Sequence, residues 1–209
     1  MEERGEPQVG VSPGEATEFE LEPLVLASSS PRRAEILRAV GWPFEVLAAN
    51  VDETPRAGEE VSEYVERLAC EKAEAVAEGR ASGLVLGADT VVAVGGQVLG
   101  KPRDAEDARR MLGLLGGRWH DVLTGVALVR AETREVLVAH ELTRVRFAPL
   151  TDEEIDWYVA TGETSDKAGA YAVQGRAALF IEEIEGDYWN VVGLPVRLVY
   201  KLAGESRGL

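Results

Sequence analysis

Apolar positions recur along this chain with two different periods, and the changes of period mark out its elements. Leu24, Val25 and Leu26 form a short apolar run, followed by Ile36, Leu37 and Val40 at helical spacing. The pattern predicts a strand and then a helix, with Ser30 as N-cap and Pro31 at the first helical position. Residues 61–76 predict a second helix, ending before Gly79. Residues 84–94 and 97–99 read as strands joined at the hairpin dipeptide Gly95-Gly96. Asp104 caps a helix that runs through Leu115 and stops at Gly116-Gly117. Strand-like runs follow at 122–129, 136–139 and 143–147. Thr151 and Glu154 make a capping box for a helix that ends before Gly162. A strand at 179–184 and a helix from Pro195 through Leu202 complete the pattern. Strands and helices in alternation predict an α/β domain built on a mixed sheet.

Ahead of this pattern, residues 1–22 carry seven glutamates against one arginine and show no periodicity. They predict a flexible acidic tail in front of a single domain at 23–209. The 209-residue chain is long enough for a substantial core. Its mean hydropathy is −0.09. No apolar run reaches membrane-spanning length, and the first residues lack the basic start and apolar centre of a signal peptide. The expectation is a cytoplasmic protein without a membrane partner. The single cysteine, Cys70, fits that compartment, since it has no intramolecular partner for a disulfide. With only two histidines, a His/Cys zinc site is excluded. A net charge of −15 also argues against nucleic acid as a partner.

In so acidic a chain, clustered positive charge is informative. Arg32 and Arg33 fall in the first turn of their helix, where the macrodipole disfavours cations. A bound phosphate would reverse that penalty, with Ser30 and free backbone N–H groups beside it. A solvent-exposed basic pair is the other reading of this stretch. On the helix at 61–76, positions 61, 65, 68, 72 and 76 share one face, and Lys72 stands in the middle of that apolar stripe. It either snorkels to the edge or points an ammonium at an anion. Asp89 interrupts a run otherwise suited to a buried strand. A carboxylate there needs a cation or a metal, or it serves as a general base. Gly95-x4-Gly100-Lys101 mimics the start of a P-loop, but Pro102 stands where a Ser or Thr would hold Mg²⁺, and the segment leaves a hairpin instead of entering a helix. A P-loop is rejected, while Lys101 stays a phosphate candidate near Asp89. Gly193 and the pair Tyr188-Trp189 read as core or turn features.

Longer motifs carry a family resemblance. Ser28-x-Ser30-Pro31-Arg32-Arg33, Asp52-Glu53, Glu71-Lys72-Ala73, Asp89-Thr90, Gly100-Lys101-Pro102, TGV at 124–126, TGETSDKAGAYAVQG at 161–175 and GDYWNVVGLP at 186–195 occur in this order. With them the chain resembles the Maf family of nucleoside triphosphate pyrophosphatases from about Leu24 to Leu202. The resemblance implies an elongated mixed sheet flanked by helices, with two lobes around a central cleft. It implies hydrolysis of a nucleoside triphosphate to the monophosphate and pyrophosphate with a divalent cation, Mg²⁺ or Mn²⁺, and a homodimer. It assigns the general base to Asp89, phosphate contacts to Arg33, Lys72 and Lys101, and the metal to Glu53 with Asp89. Arg32, Thr90 and Gln174 match positions tied to base selectivity. Whether Asp89 ligates the metal, orients the attacking water or does both stays open.

In the family subgroup acting on 7-methylguanosine triphosphate, a tryptophan typically matches Arg32 and a glutamate matches Gln174. A cation and a neutral amide suit pyrimidine carbonyls and an imide edge better than a positively charged purine. The expected substrates are therefore dTTP and UTP. The alternatives are the methylated purine nucleotide and a regulator linked to septum formation that senses nucleotides without turning them over.

Overall fold

A computed structural model describes residues 21–206 of the chain. Most of the segment at 1–22 thus lies outside the described residues. Its last two are Leu21, which packs against the core, and Glu22, whose carboxylate pairs with Arg130 at 3.0 Å. The elements in order are β1 (Leu24–Leu26), α1 (Pro31–Ala39), β2 (Phe44–Val46), α2 (Val61–Ala77), β3 (Leu84–Val94), β4 (Gln97–Leu99) and α3 (Ala105–Leu115). They continue with β5 (Trp119–Arg130), β6 (Val136–Phe147), α4 (Asp152–Ala160), β7 (Ile181–Glu185), α5 (Tyr188–Val192) and α6 (Val196–Ser206). The strands form one mixed seven-stranded sheet in the order β2-β1-β3-β5-β6-β7, with β4 also on β3. β1 runs parallel to both β2 and β3, and the remaining pairs are antiparallel.

The expected α/β fold is present, with several local differences. β2 was not foreseen: three residues, exposed at Glu45 and Val46, leave too short a pattern to read. The runs at 136–139 and 143–147 belong to one strand, β6. His140 is exposed and Glu141 only partly buried, and these polar residues break the apolar pattern without breaking the ladder to β5. Leu179 belongs to a 3₁₀ turn, so β7 begins at Ile181. Residues 188–192 are helical, capped by the Asp187 side chain, which accepts from Trp189 N at 2.7 Å. Among the described residues, no helix is long and apolar enough to cross a membrane.

Strand alternation divides the core between two faces. Val25, Ala27, Val85, Ala127 and Val129 pack against Ala69, Ala73 and Ala77 of α2. Leu24, Leu26, Leu84, Leu86 and Val92 pack on the other side, with residues from α1, α3, α4, α5 and α6. Two glycines bring α2 unusually close to the sheet. A Cβ on Gly87 would collide with the Ala69 carbonyl, and one on Gly125 with the Val65 carbonyl. Small residues on both surfaces thus let the backbones approach, and a long side chain from α2 reaches deep into β3.

Candidate active site

β3 lacks a neighbouring strand on part of one edge. β1 pairs with it as far as Leu86, and β4 begins only at Val92. A cleft of about 410 Å³ opens beside the uncovered stretch. Its lining includes Ser30, Arg32, Arg33, Glu53, Lys72, Asp89, Thr90, Lys101 and Gln174. All nine side chains singled out from the sequence therefore meet in one place.

Asp89 and Thr90, adjacent on β3, point to opposite faces of the sheet. On the α2 side, Lys72 Nζ donates to Asp89 Oδ1 at 2.6 Å and lies 2.6 Å from Glu53 Oε1. Lys72 does not snorkel, since its side chain is only 10% exposed. Burial works to raise the Glu53 pKa, but the bond and charge of Lys72, helped by Lys101 and Arg33, hold it below the usual carboxylate value. Two neighbours on α2 fix the loop that carries Glu53. Tyr64 Oη donates to the Glu53 carbonyl at 2.8 Å, and Arg67 Nη2 donates to the Thr54 carbonyl at 3.3 Å. Arg67 is itself held by Glu59 at 2.5 Å and by Glu71.

On the other face, Thr90 Oγ1 shares a hydrogen bond of 2.9 Å with Thr124 Oγ1. Arg33 is buried beside them. Its Nε donates to the Gly193 carbonyl at 2.9 Å, Nη1 to Ser28 Oγ at 3.1 Å and to the Ala88 carbonyl at 2.8 Å, and Nη2 to Thr90 Oγ1 at 3.1 Å. Burial pulls its pKa down against the opposing charge of Asp89. Four of its five N–H groups are thereby engaged by the protein. Arg33 ties α1, β3 and the turn after α5 together, and only one donor is left for a ligand. Gly193 has a role of its own here: with φ at 124° it ends α5 and presents the carbonyl that Arg33 grips.

At the mouth of α1, Ser30 has extended N-cap geometry, but its hydroxyl makes no capping bond. Ser30 and the first-turn residues Pro31, Arg32 and Arg33 line the cleft alongside Lys101, whose ammonium has no ion-pair partner among the described residues. These groups have donors to give an anion. Arg32 turns away to the far wall, where it pairs with Asp166 at 2.7 Å. Sequence reasoning missed Tyr64, Asp166 and Lys167 as cleft residues. The adjacent charges of Asp166 and Lys167, within the motif at 161–175, were the available signal, inside a loop with no periodicity to anchor it.

The family model described as Maf-like protein matches residues 23–206. The chain belongs to the Maf-like family. A protein of Symbiobacterium thermophilum named dTTP/UTP pyrophosphatase is 60% identical over 176 residues, covering 84% of this Maf-like chain and 90% of that relative. Proteins of the same name from Pelotomaculum thermopropionicum and Hahella chejuensis are 56% and 52% identical, each over 83% of this chain and over 91% and 87% of their own lengths. Among solved structures, the Staphylococcus aureus Ham1 protein is similar with a TM-score of 0.45 and 18% identity, over 61% of this chain and 72% of that one.

Proposed function

We propose that this Maf-like chain hydrolyses dTTP and UTP to the monophosphate and pyrophosphate. The observation that carries the reading is the buried ammonium of Lys72, 2.6 Å from carboxylate oxygens of both Asp89 and Glu53 on the floor of a cationic cleft. The relatives named above bear the name of that activity.

The Asp89 carboxylate is placed to hold a water molecule and accept its proton as the water attacks the α-phosphorus. Lys72 keeps that carboxylate in position across the α2–β3 contact. Lys101, the Ser30 hydroxyl and the first-turn amides of α1 take up the negative charge that develops on the leaving pyrophosphate. Arg33 holds Thr90 and Ser28 in register with the turn at Gly193, and keeps one donor for phosphate.

Asp89 and Glu53 also fit a hard divalent cation, Mg²⁺ or Mn²⁺. Each keeps a second carboxylate oxygen beyond the one that Lys72 binds, a hard donor of the kind such ions take, and the ions complete their coordination with waters and substrate phosphate. No group of three or more His, Cys, Asp or Glu side chains able to hold a metal occurs among the described residues, and in this reading the pair Asp89 and Glu53 is the protein's share. The bound cation would supply Lewis-acid stabilisation of phosphate charge. We also propose a free nucleotide, not nucleic acid, as the substrate of this acidic chain in the cytoplasm, and, from the family resemblance alone, a homodimer as the working form.

Hydrolysis of UTP in ¹⁸O-labelled water tests the reaction. The expected products are pyrophosphate and UMP, with the label in UMP. Formation of UDP and orthophosphate, or no turnover of UTP and dTTP, would overturn it.

A further inference from the structure

The far wall of the cleft carries a carboxylate that the reaction above does not use. Asp166 Oδ2 accepts from Arg32 Nη1 at 2.7 Å, and its backbone carbonyl accepts from Arg32 Nη2 at 2.9 Å. Its other oxygen, Oδ1, accepts from Lys167 Nζ at 2.6 Å. Arg32, Asp166 and Lys167 line the cleft together with Gln174. Burial works to raise the Asp166 pKa, but the bonds and charges of Lys167 and Arg32 outweigh it and hold the value at about 2. The carboxylate is therefore ionised at neutral pH and acts only as an acceptor.

Capacity remains on every member of the trio. Each carboxylate oxygen offers two acceptor sites and takes one of these side-chain bonds. Arg32 has two of its five N–H groups engaged here, and Lys167 one of three. The Asp166 side chain is 52% exposed, so its remaining lone pairs are within reach of a ligand. The wall thus presents a guanidinium, a carboxylate and an ammonium in that order, which is donor, acceptor, donor. A carboxylate between the two cations repels a polyphosphate. This wall is suited to the uncharged part of the substrate.

The imide edge of uracil and thymine is the complement: a carbonyl, an N3–H and a second carbonyl. Cytosine keeps one carbonyl but turns its ring nitrogen lone pair toward the carboxylate and its amino group toward a cation. Adenine is mismatched in the same way, whereas guanine matches two of the three positions. We propose that Asp166 accepts the N3–H of uracil or thymine while Arg32 and Lys167 donate to the flanking carbonyls, making Asp166 a specificity-determining residue. The inference rests on the reading of the cleft as a nucleoside triphosphate site.

Replacing Asp166 by Asn keeps the size and lets the side chain present either an oxygen or an amino group. The test is kcat/KM for UTP, dTTP and CTP by pyrophosphate release, in the wild type and in Asp166→Asn. The wild type is expected to favour UTP over CTP by about a hundredfold, and the variant to lose at least about tenfold of that ratio. Part of the loss should come from an absolute gain with CTP, which a merely damaged loop would not give. Equal losses on UTP and CTP, or an unchanged ratio, would overturn the role of Asp166 while leaving the pyrophosphatase reading intact. A wild type that does not distinguish UTP from CTP would also overturn the role of Asp166. Absence of pyrophosphate from every nucleotide would overturn both.

Discussion

Lys72 of α2 and Asp89 of β3 form a buried ion pair, 2.6 Å from nitrogen to oxygen, with side chains 10% and 12% exposed. The two members respond differently to removal. Lys72→Met leaves the Asp89 carboxylate buried without its cation, and breaking such a pair typically costs about 3 kcal/mol. Asp89→Asn leaves Lys72 paired with Glu53 and costs much less stability. Turnover should follow the opposite emphasis, with Asp89→Asn losing about a hundredfold or more in kcat from loss of the carboxylate proposed as the base. Urea midpoints and steady-state kinetics on both variants check the contrast. Near-normal kcat in Asp89→Asn would reduce Asp89 to a structural residue.

The close approach of α2 to the sheet predicts a second effect. A methyl group at Gly87 or Gly125 must push the helix backbone away from β3 or β5. Gly87→Ala and Gly125→Ala should each cost roughly 1–3 kcal/mol, as overpacking does. Displacement of α2 should also carry Lys72 away from Asp89, so kcat should fall further than in a surface Gly→Ala control such as Gly113→Ala. Thermal melts and kcat measured side by side decide this.

Acid sensitivity should trace partly to His120. This residue is 2% exposed, packs edge-on against Phe147 and Tyr171, and shares a 2.9 Å hydrogen bond with the Tyr171 hydroxyl. Burial pushes its pKa down to about 4. Between about pH 6.5 and pH 4 the unfolded chain binds a proton at this position that the folded chain does not. Stability therefore falls as pH drops through that window, by roughly 3 kcal/mol for this group. His120→Gln should flatten the dependence of the urea midpoint on pH between 4 and 6.5. An unchanged slope would exclude His120 as a contributor.

Residues that break local rules made the site legible in the sequence. Lys72 stands in an apolar stripe and Asp89 in a strand-forming run, and the structure joins the two in one ion pair. Arg32 and Arg33 looked alike, both basic in a first helical turn. Only the fold separates them, because Arg33 finds its acceptors at Ala88, Thr90 and Gly193, far away in sequence. The long strands β3 and β5 were readable because both faces are buried and their apolar runs are continuous. β6 read as two pieces because its outward face meets solvent at His140, and solvent places no constraint on pattern there. Asp166 and Lys167 gave no periodic signal, since a loop residue acquires meaning only from what it faces.

The uncovered edge of β3 bears on how the molecule moves. On its other edge, β3 pairs with β5 through ten consecutive positions, from Leu84 opposite Arg130 to Ala93 opposite Asp121. Asp89 therefore rides on a ladder that opens only when the whole domain does. The segments carrying Glu53 and Asp166 are fastened to the body here by a few side-chain bonds, chiefly from Tyr64, Arg67 and Arg32. Such bonds release one at a time, at a fraction of the global unfolding free energy. In amide hydrogen exchange this makes a slow floor beneath two faster walls, so a nucleotide can enter and its products leave while the strand that carries Asp89 stays folded.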